Sequence, residues 1–321
     1  MIRTILGAAL GAGLVASIAA AHADEASLRA VNAFAEGTTF AKPFERLIEK
    51  VNAEAKGQIK ITYVGGPRAM PPFEIGNALR NKVVDLASVT GAFYGNLMPE
   101  ADAQKLMAKP ISEIRTNGGI ALIEKLHNDK LNAHVLGRWG YGVPFHIFLT
   151  KPVTKYDLTG LKIRVTPIYK DFVEALGGTG VTTAPGEVYT ALERGVVDGY
   201  GWPVLGIFDL GWHEKTKYRL DPGFYQVELM VLVNLDTWKK LDASRQKILQ
   251  DAALWLEAQD AEWPAIIAAE HERQSKAGIQ ALKFDDAGAK RFLDTADEVG
   301  WKAIAAKNPE LAPQLRKAIG Q

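Results

Sequence analysis

The chain has 321 residues, 47% of them hydrophobic and 23% charged, which is enough for one large or two medium domains around a sizeable core. Thirty-eight Lys and Arg against 37 Asp and Glu leave a net charge of +1, so there is no basic excess for nucleic acid and no Lys/Arg block for an anionic membrane. Cysteine is absent, which excludes disulfides and thiolate metal sites and suits an oxidising compartment.

The N-terminus reads as a secretory leader. Arg3 is the positive start, residues 5–20 are an apolar run rich in Ala and Gly, and Ala21-His22-Ala23 is an A-x-A cleavage site. The mature chain is therefore predicted to begin at Asp24. The alternative is a membrane anchor, but the run is short for a span and no lipobox cysteine is present. Arg3 is the only charge in the leader, so 37 positive and 37 negative side chains remain.

Residues 27–34 (SLRAVNAF) read as the first strand, followed by the polar loop Glu36-Gly37-Thr38-Thr39. Residues 40–55 form an amphipathic helix with Phe44, Leu47, Ile48 and Val51 on one face, ended by Gly57. A strand at 59–64 (IKITYV), a breaker-rich loop at 65–72 that holds Met70, a helix at 73–81 and a strand at 83–89 follow, leading to Thr90-Gly91-Ala92-Phe93-Tyr94. A helix is expected over 111–129, a strand over 132–139, and a turn from Gly140 to Pro144 that includes Tyr141. Residues 145–150 (FHIFLT) are apolar and predicted to cross into a second domain. Residues 228–234 (ELMVLVN) form the natural return crossing. A long helix is expected over 242–276, bent at Pro264, and helix again over 285–317. This alternation of strands and helices predicts an α/β fold with ligand loops at strand ends.

Residues 157–203 carry the densest information: DLTGLKIRVTPIYKDFVEALGGTGVTTAPGEVYTALERGVVDGYGWP. A turn leads into a short strand, 161–165, with Arg164 inside it. A helix at 169–176 is broken at Gly177-Gly178-Thr179-Gly180, a second helix runs over 185–194, and Val196-Val197-Asp198-Gly199 opens another strand. A guanidinium at a strand end in such a unit can grip a carboxylate through two parallel hydrogen bonds. The other reading of Arg164 is a surface arginine leaning off an edge strand.

The runs DLTGLKIRV, ALGGTGV, APGEVYTALERG and VVDG, in this order and spacing, resemble the pattern of DctP-type solute receptors, the periplasmic substrate-binding subunits of TRAP transporters. The resemblance implies a two-domain periplasmic-binding-protein fold, each domain a mixed sheet flanked by helices, with a long helix bridging them. On it, domain I is expected over 24–143 and 228–267, and domain II over 144–227 and 268–321, with the ligand cleft between. It also implies a periplasmic location, hinge closure, membrane subunits as partners, a monomeric receptor, and Arg164 as the carboxylate-gripping arginine.

Two departures from the family pattern bear on the ligand. Many members have a second arginine before the crossing strand, where this chain has Val143-Pro144-Phe145-His146. His146 is then either a substitute hydrogen-bond donor or a core histidine. After the VDG turn, Trp202 matches the Trp form of the family, as a pocket wall or a core residue, while Gly201 stands where oxoacid-type members carry a metal-holding glutamate. No metal and no cofactor are therefore expected. Tyr141, Phe145, Trp202 and Phe208 belong to a crowd of aromatics that suits an apolar or aromatic monocarboxylate, or a hydroxy or oxo acid. Glu36, Thr38, Met70 and Tyr94 lie in loops predicted to face the cleft. Enzyme motifs such as H-E-x-x-H, G-x-S-x-G and a P-loop are absent. A secreted α/β hydrolase or a ligand sensor for a membrane receptor are the rival readings.

Overall fold

The computed structural model describes residues 24–320; the leader expected over 1–23 lies outside them. Twelve strands form two mixed sheets: β1 Ala26–Asn32, β2 Ile59–Gly65, β3 Leu86–Val89, β4 Ala133–Trp139, β5 Pro144–Leu149, β6 Lys162–Val165, β7 Thr179–Thr182, β8 Gly199–Pro203, β9 Tyr218–Leu220, β10 Phe224–Gln226, β11 Leu229–Asn234 and β12 Gln280–Leu282. The first sheet has the order β2-β1-β3-β11-β4, with β1, β2 and β3 parallel and β11 antiparallel to both of its neighbours. The second has the order β12-β9-β5-β8-β6-β7, with β10 paired to β5. The architecture is α/β in two lobes, each a mixed sheet flanked by helices.

Burial follows the sequence pattern. The apolar strands β3 and β11, central in the first sheet, are buried at every position, as strands covered on both faces must be. Helix Lys42–Glu54 buries Phe44, Leu47, Ile48 and Val51, the face its periodicity predicts, against β2 and helix Ala243–Ala258. Burial of each such side chain contributes roughly 1.5–3 kcal/mol.

The chain passes between the sheets at residues 139–144 and 226–229, just outside the predicted crossing strands. These two segments run side by side, with Val227 N donating to Val143 O at 2.9 Å and Gly142 N to Gln226 Oε1 at 3.1 Å. Gly140 and Gly142 have φ of +94° and +92°, a conformation that L side chains rarely adopt, so both turn positions need glycine.

Several expected helices are divided. Residues 111–129 form two helices, Ile111–Thr116 and Gly119–Leu131, because Gly118 adopts φ +88° between them. The expected long helix over 242–276 is two helices, Ala243–Ala258 and Trp263–Lys276, joined by a 3-10 turn at Gln259–Glu262. Pro264 sits in the first turn of the second helix and starts it, instead of bending a continuous one. The pair still bridges the lobes. The first packs on β4, and the second contacts β12 and donates from Gln274 Nε2 to Val204 O at 2.7 Å. The C-terminal run is Asp286–Lys307 and Ala312–Ile319. The first of these packs on both segment Pro99–Leu106 and helix Pro167–Ala175, and the last packs on Pro99–Leu106 and Gly119–Leu131, on the side of the first sheet.

Candidate ligand site

Arg164 lies on β6 and is fully buried. Its Nε and Nη2 donate to Thr183 O at 3.1 and 2.7 Å. Its Nη1 donates to the Tyr169 hydroxyl at 2.9 Å and to Gly201 O at 3.4 Å. The Tyr169 hydroxyl in turn donates to Gly201 O at 2.6 Å. Every one of these acceptors is neutral, and among the described residues no carboxylate pairs with Arg164. Burial pulls the guanidinium pKa below the ordinary arginine value, opposed by Tyr169 and Glu187. A buried charge without a counter-charge costs several kcal/mol, which makes this position unstable in isolation and favourable to an incoming anion.

Around Arg164 the two lobes meet on aromatic rings. Trp202 of β8 lies with its ring 5.6 Å from Arg164 Cζ. It packs edge-on against Phe34 and Phe40 of the first lobe at 6.3 and 5.9 Å, and against Trp212 at 4.7 Å. These rings separate two cavities. The inner one, about 30 Å³, is lined by Phe93, Phe145, Thr166, Tyr169 and Glu228 together with Phe34, Phe40 and Trp202. The outer one, about 520 Å³, is lined by Thr38, Pro67, Ala184, Gly206 and Asp209 and the same three rings. Arg164 lines neither cavity; it bonds Tyr169, which lines the inner one, and lies beside Trp202, which lines both. The indole Nε1 of Trp202 and the hydroxyl of Thr183 are buried without a partner. Trp202 lines both cavities, so its indole N–H can meet an acceptor brought by a ligand, whereas Thr183 lines neither.

Glu228 stands at the start of β11 and is 1% exposed. Its carboxylate accepts from the Thr90 hydroxyl and from Gly91 N, the latter at 3.0 Å. Burial pushes its pKa up to about 7, against the lowering effect of those two bonds and of Arg138.

The residues predicted from sequence divide into three groups. Phe145 and Trp202 line the inner cavity, and Arg164 stands behind its wall. Thr38 lines the outer cavity, its hydroxyl donating to Ala35 O at 2.6 Å. Glu36 accepts from Gly66 N at 3.2 Å, where it joins the two loops at the rim, and Met70 packs half-buried on the core. The other four point elsewhere. His146 lines neither cavity; its Nδ1 lies 2.8 Å from Leu220 O and 3.1 Å from Asp221 Oδ1. Tyr94 is a core residue with its hydroxyl 2.9 Å from His127 Nε2. Tyr141 donates to Ala108 O at 3.2 Å and lies under Arg138. Phe208 is stacked under Arg273, 3.7 Å from Cζ to the ring centroid.

Sequence reasoning missed Tyr169 and Glu228. Tyr169 sits five residues beyond Arg164, in the first turns of the next helix, and Glu228 is a lone acid opening an apolar strand; both were visible as oddities of pattern. Among the described residues no group of three or more His, Asp or Glu side chains is placed to hold a metal ion, and no helix is long and apolar enough to cross a membrane.

Two mixed-sheet lobes joined by paired crossing segments, with a buried arginine and an aromatic cleft between them, define the class of bilobed solute-binding proteins. The sequence matches the family described as bacterial extracellular solute-binding protein, family 7 (DctP), over residues 30–308, and the chain belongs to it. It is similar to the monocarboxylate 2-oxoacid-binding periplasmic protein all3028 of Nostoc, 25% identical over 226 residues that cover 65% of this chain and 60% of that protein. The match thus spans less than two thirds of that relative's length. In fold it is similar to a TRAP periplasmic solute binding protein from Desulfovibrio salexigens with bound orotic acid, with a TM-score of 0.79, 19% identity, and 91% and 96% of the two chains covered. It is also similar to DctP7 of Bordetella pertussis, an extracytoplasmic solute receptor binding pyroglutamic acid, with a TM-score of 0.78, 17% identity, and 91% and 98% covered.

Proposed function

We propose that this protein is the periplasmic receptor of a TRAP transporter, acting as a monomer that captures a small monocarboxylate on Arg164 and delivers it to the membrane subunits. The observation that carries this reading is a fully buried guanidinium whose protein partners are all neutral oxygens. A ligand carboxylate supplies the missing charge. The surrounding rings provide apolar walls, and the indole N–H of Trp202 a further donor. The named ligands of the relatives, a 2-oxoacid class, orotic acid and pyroglutamic acid, are consistent with a carboxylate anchor.

On this reading one moving body is built on 24–143 with 228–267 and the other on 144–227, with Ala312–Ile319 seated on the first body and Asp286–Lys307 packed against both. They hinge where residues 139–144 and 226–229 cross. An inner cavity of about 30 Å³ holds little more than a water or two, so the present arrangement corresponds to a closed cleft that must open for a ligand to reach Arg164. Ligand binding then shifts the population towards closure. A thermal-shift screen over organic acids, followed by calorimetry on the wild type and Arg164→Ala, tests the proposal. Stabilisation by one or more acids that disappears in the variant is expected. Equal affinity in both proteins removes Arg164 from the site.

A further inference from the structure

The inner cavity has a second polar end that the arginine reading leaves unexplained. Glu228 enters it from the first lobe, opposite the Tyr169 and Trp202 wall behind which Arg164 lies. It is held there by two donors from the end of β3, the Thr90 hydroxyl and Gly91 N. Among the described residues it has no salt bridge. Arg138 on β4 donates from Nη2 to Val227 O at 3.1 Å, beside Glu228, without reaching its carboxylate. Asp102, on segment Pro99–Leu106, and Tyr94 add no positive charge from the other side. The carboxyl thus keeps unused lone pairs in a chamber lined mainly by aromatic and aliphatic side chains.

We propose that Glu228 is a specificity-determining residue that selects, among monocarboxylates, those bearing a hydrogen-bond donor such as a hydroxyl or N–H near the carboxylate, and rejects a second acidic group. The inference rests on Arg164 as the carboxylate anchor. Once the Tyr169 and Trp202 side chains give way to Arg164, a ligand lying between the two ends meets a cation at one and an acceptor at the other, so its own polarity must run anion to donor. A keto or unsubstituted carbon placed against Glu228 leaves the acceptor unpaired, and a second carboxylate places like charges together. Sites built to bond a donor discriminate strongly against analogues that lack it. Burial raises the Glu228 pKa to about 7, so acceptor strength should grow from pH 6 to pH 8.

The test uses matched acids on one skeleton: lactate, pyruvate and propionate, and mandelate, benzoylformate and phenylacetate, with succinate as the dicarboxylate. Affinities are measured by calorimetry at pH 8 on the mature protein and on Glu228→Gln, whose amide keeps the shape but offers a donor of its own. The wild type is expected to prefer the hydroxy acid of a triplet by about tenfold or more, in line with the cost of an unpaired buried acceptor. In Glu228→Gln the preference should fall below about threefold, and succinate should bind more tightly than to the wild type. A wild-type ranking led by the oxo or unsubstituted acid overturns the inference, and that measurement needs no variant to fold. The same ranking in a folded Glu228→Gln protein also overturns it. Arg164→Ala keeps the two readings apart: loss of all acids there with an unchanged ranking in Glu228→Gln sinks only the role of Glu228.

Discussion

The ring of Tyr169 fills the space in which any side chain at position 201 would have to begin. A Cβ placed on Gly201 would lie 2.4 Å from Tyr169 Cε2, closer than real contacts allow. The missing side chain at 201 and the tyrosine that bonds both Arg164 and Gly201 O are therefore one feature. In this chain the space beside residue 201 is taken by a phenol that orients the guanidinium.

Gly201→Ala is accordingly expected to destabilise the protein by about 1–3 kcal/mol, the usual range for overpacking, and to weaken acid binding by displacing Tyr169 from Arg164. Urea denaturation and calorimetry check the two effects. Ligand affinity in the wild type should be the same with and without a chelator. An affinity that collapses in chelator and returns with calcium would show that a cation takes part after all.

For Arg164 the expectation is a loss of about 2–5 kcal/mol of binding free energy on replacement by alanine, the range for stripping one member from a desolvated charge pair. Lysine should recover little of it. Three separate acceptors, Thr183 O, Tyr169 Oη and Gly201 O, are matched to the planar fork, and an ammonium cannot address them in that geometry. A lysine variant with near-native affinity would mean that charge alone, and not the fork, holds the ligand.

How much of this was legible in the sequence depended on whether a residue's role was local. The turn, strand and arginine around Arg164 and the buried face of helix Lys42–Glu54 follow from spacing and stand where the pattern puts them, whereas the two crossings fall in the turns just before the apolar strands expected to make them. Short strands such as β7, β9, β10 and β12 were not legible, because three or four residues carry no period and their pairing comes from distant partners. The same holds at the site. Phe145 and Trp202 reach the cavity and His146 does not, although His146 and Trp202 are cross-strand partners on β5 and β8 and share a face, so strand alternation alone does not decide it. Sequence proximity to a loop placed Tyr94 near the cleft, whereas its hydroxyl is committed to His127 in the core.

Glu228 also predicts a pH signature. Its folded-state pKa is raised from 4.5 to about 7, so between these values the folded state binds more protons than the unfolded one, and stability falls as pH rises. The effect is at most about 3 kcal/mol. Buried His127, lowered from 6.5 to about 4, works the other way, adding stability as pH rises through that window. In the wild type these two contributions therefore largely offset each other from pH 4.5 to 6.5. Glu228→Gln should show stability rising with pH there, and the difference between the two proteins isolates Glu228. Parallel pH–stability curves for the two would mean that Glu228 titrates normally.

The last prediction concerns closure. Thr39 N, in the first lobe, donates to Asp209 Oδ2 in the second at 2.7 Å, close to where Phe40 meets Trp202 and at the edge of the outer cavity. Asp209 is exposed and makes this bond across the cleft, so it acts on the closed arrangement and on neither lobe alone. A charge-assisted but solvent-exposed hydrogen bond contributes on the order of 1 kcal/mol, which favours the closed state by about fivefold. Asp209→Ala should leave thermal stability of the empty protein nearly unchanged while weakening ligand affinity by about threefold to tenfold. The loss should fall mainly on the dissociation rate, since the bond forms after the ligand has entered. Stopped-flow measurement of both rates, with small-angle scattering to follow the open and closed populations, decides it. Unchanged dissociation in Asp209→Ala would leave the aromatic contact between Phe40 and Trp202 as the element that holds the lobes together.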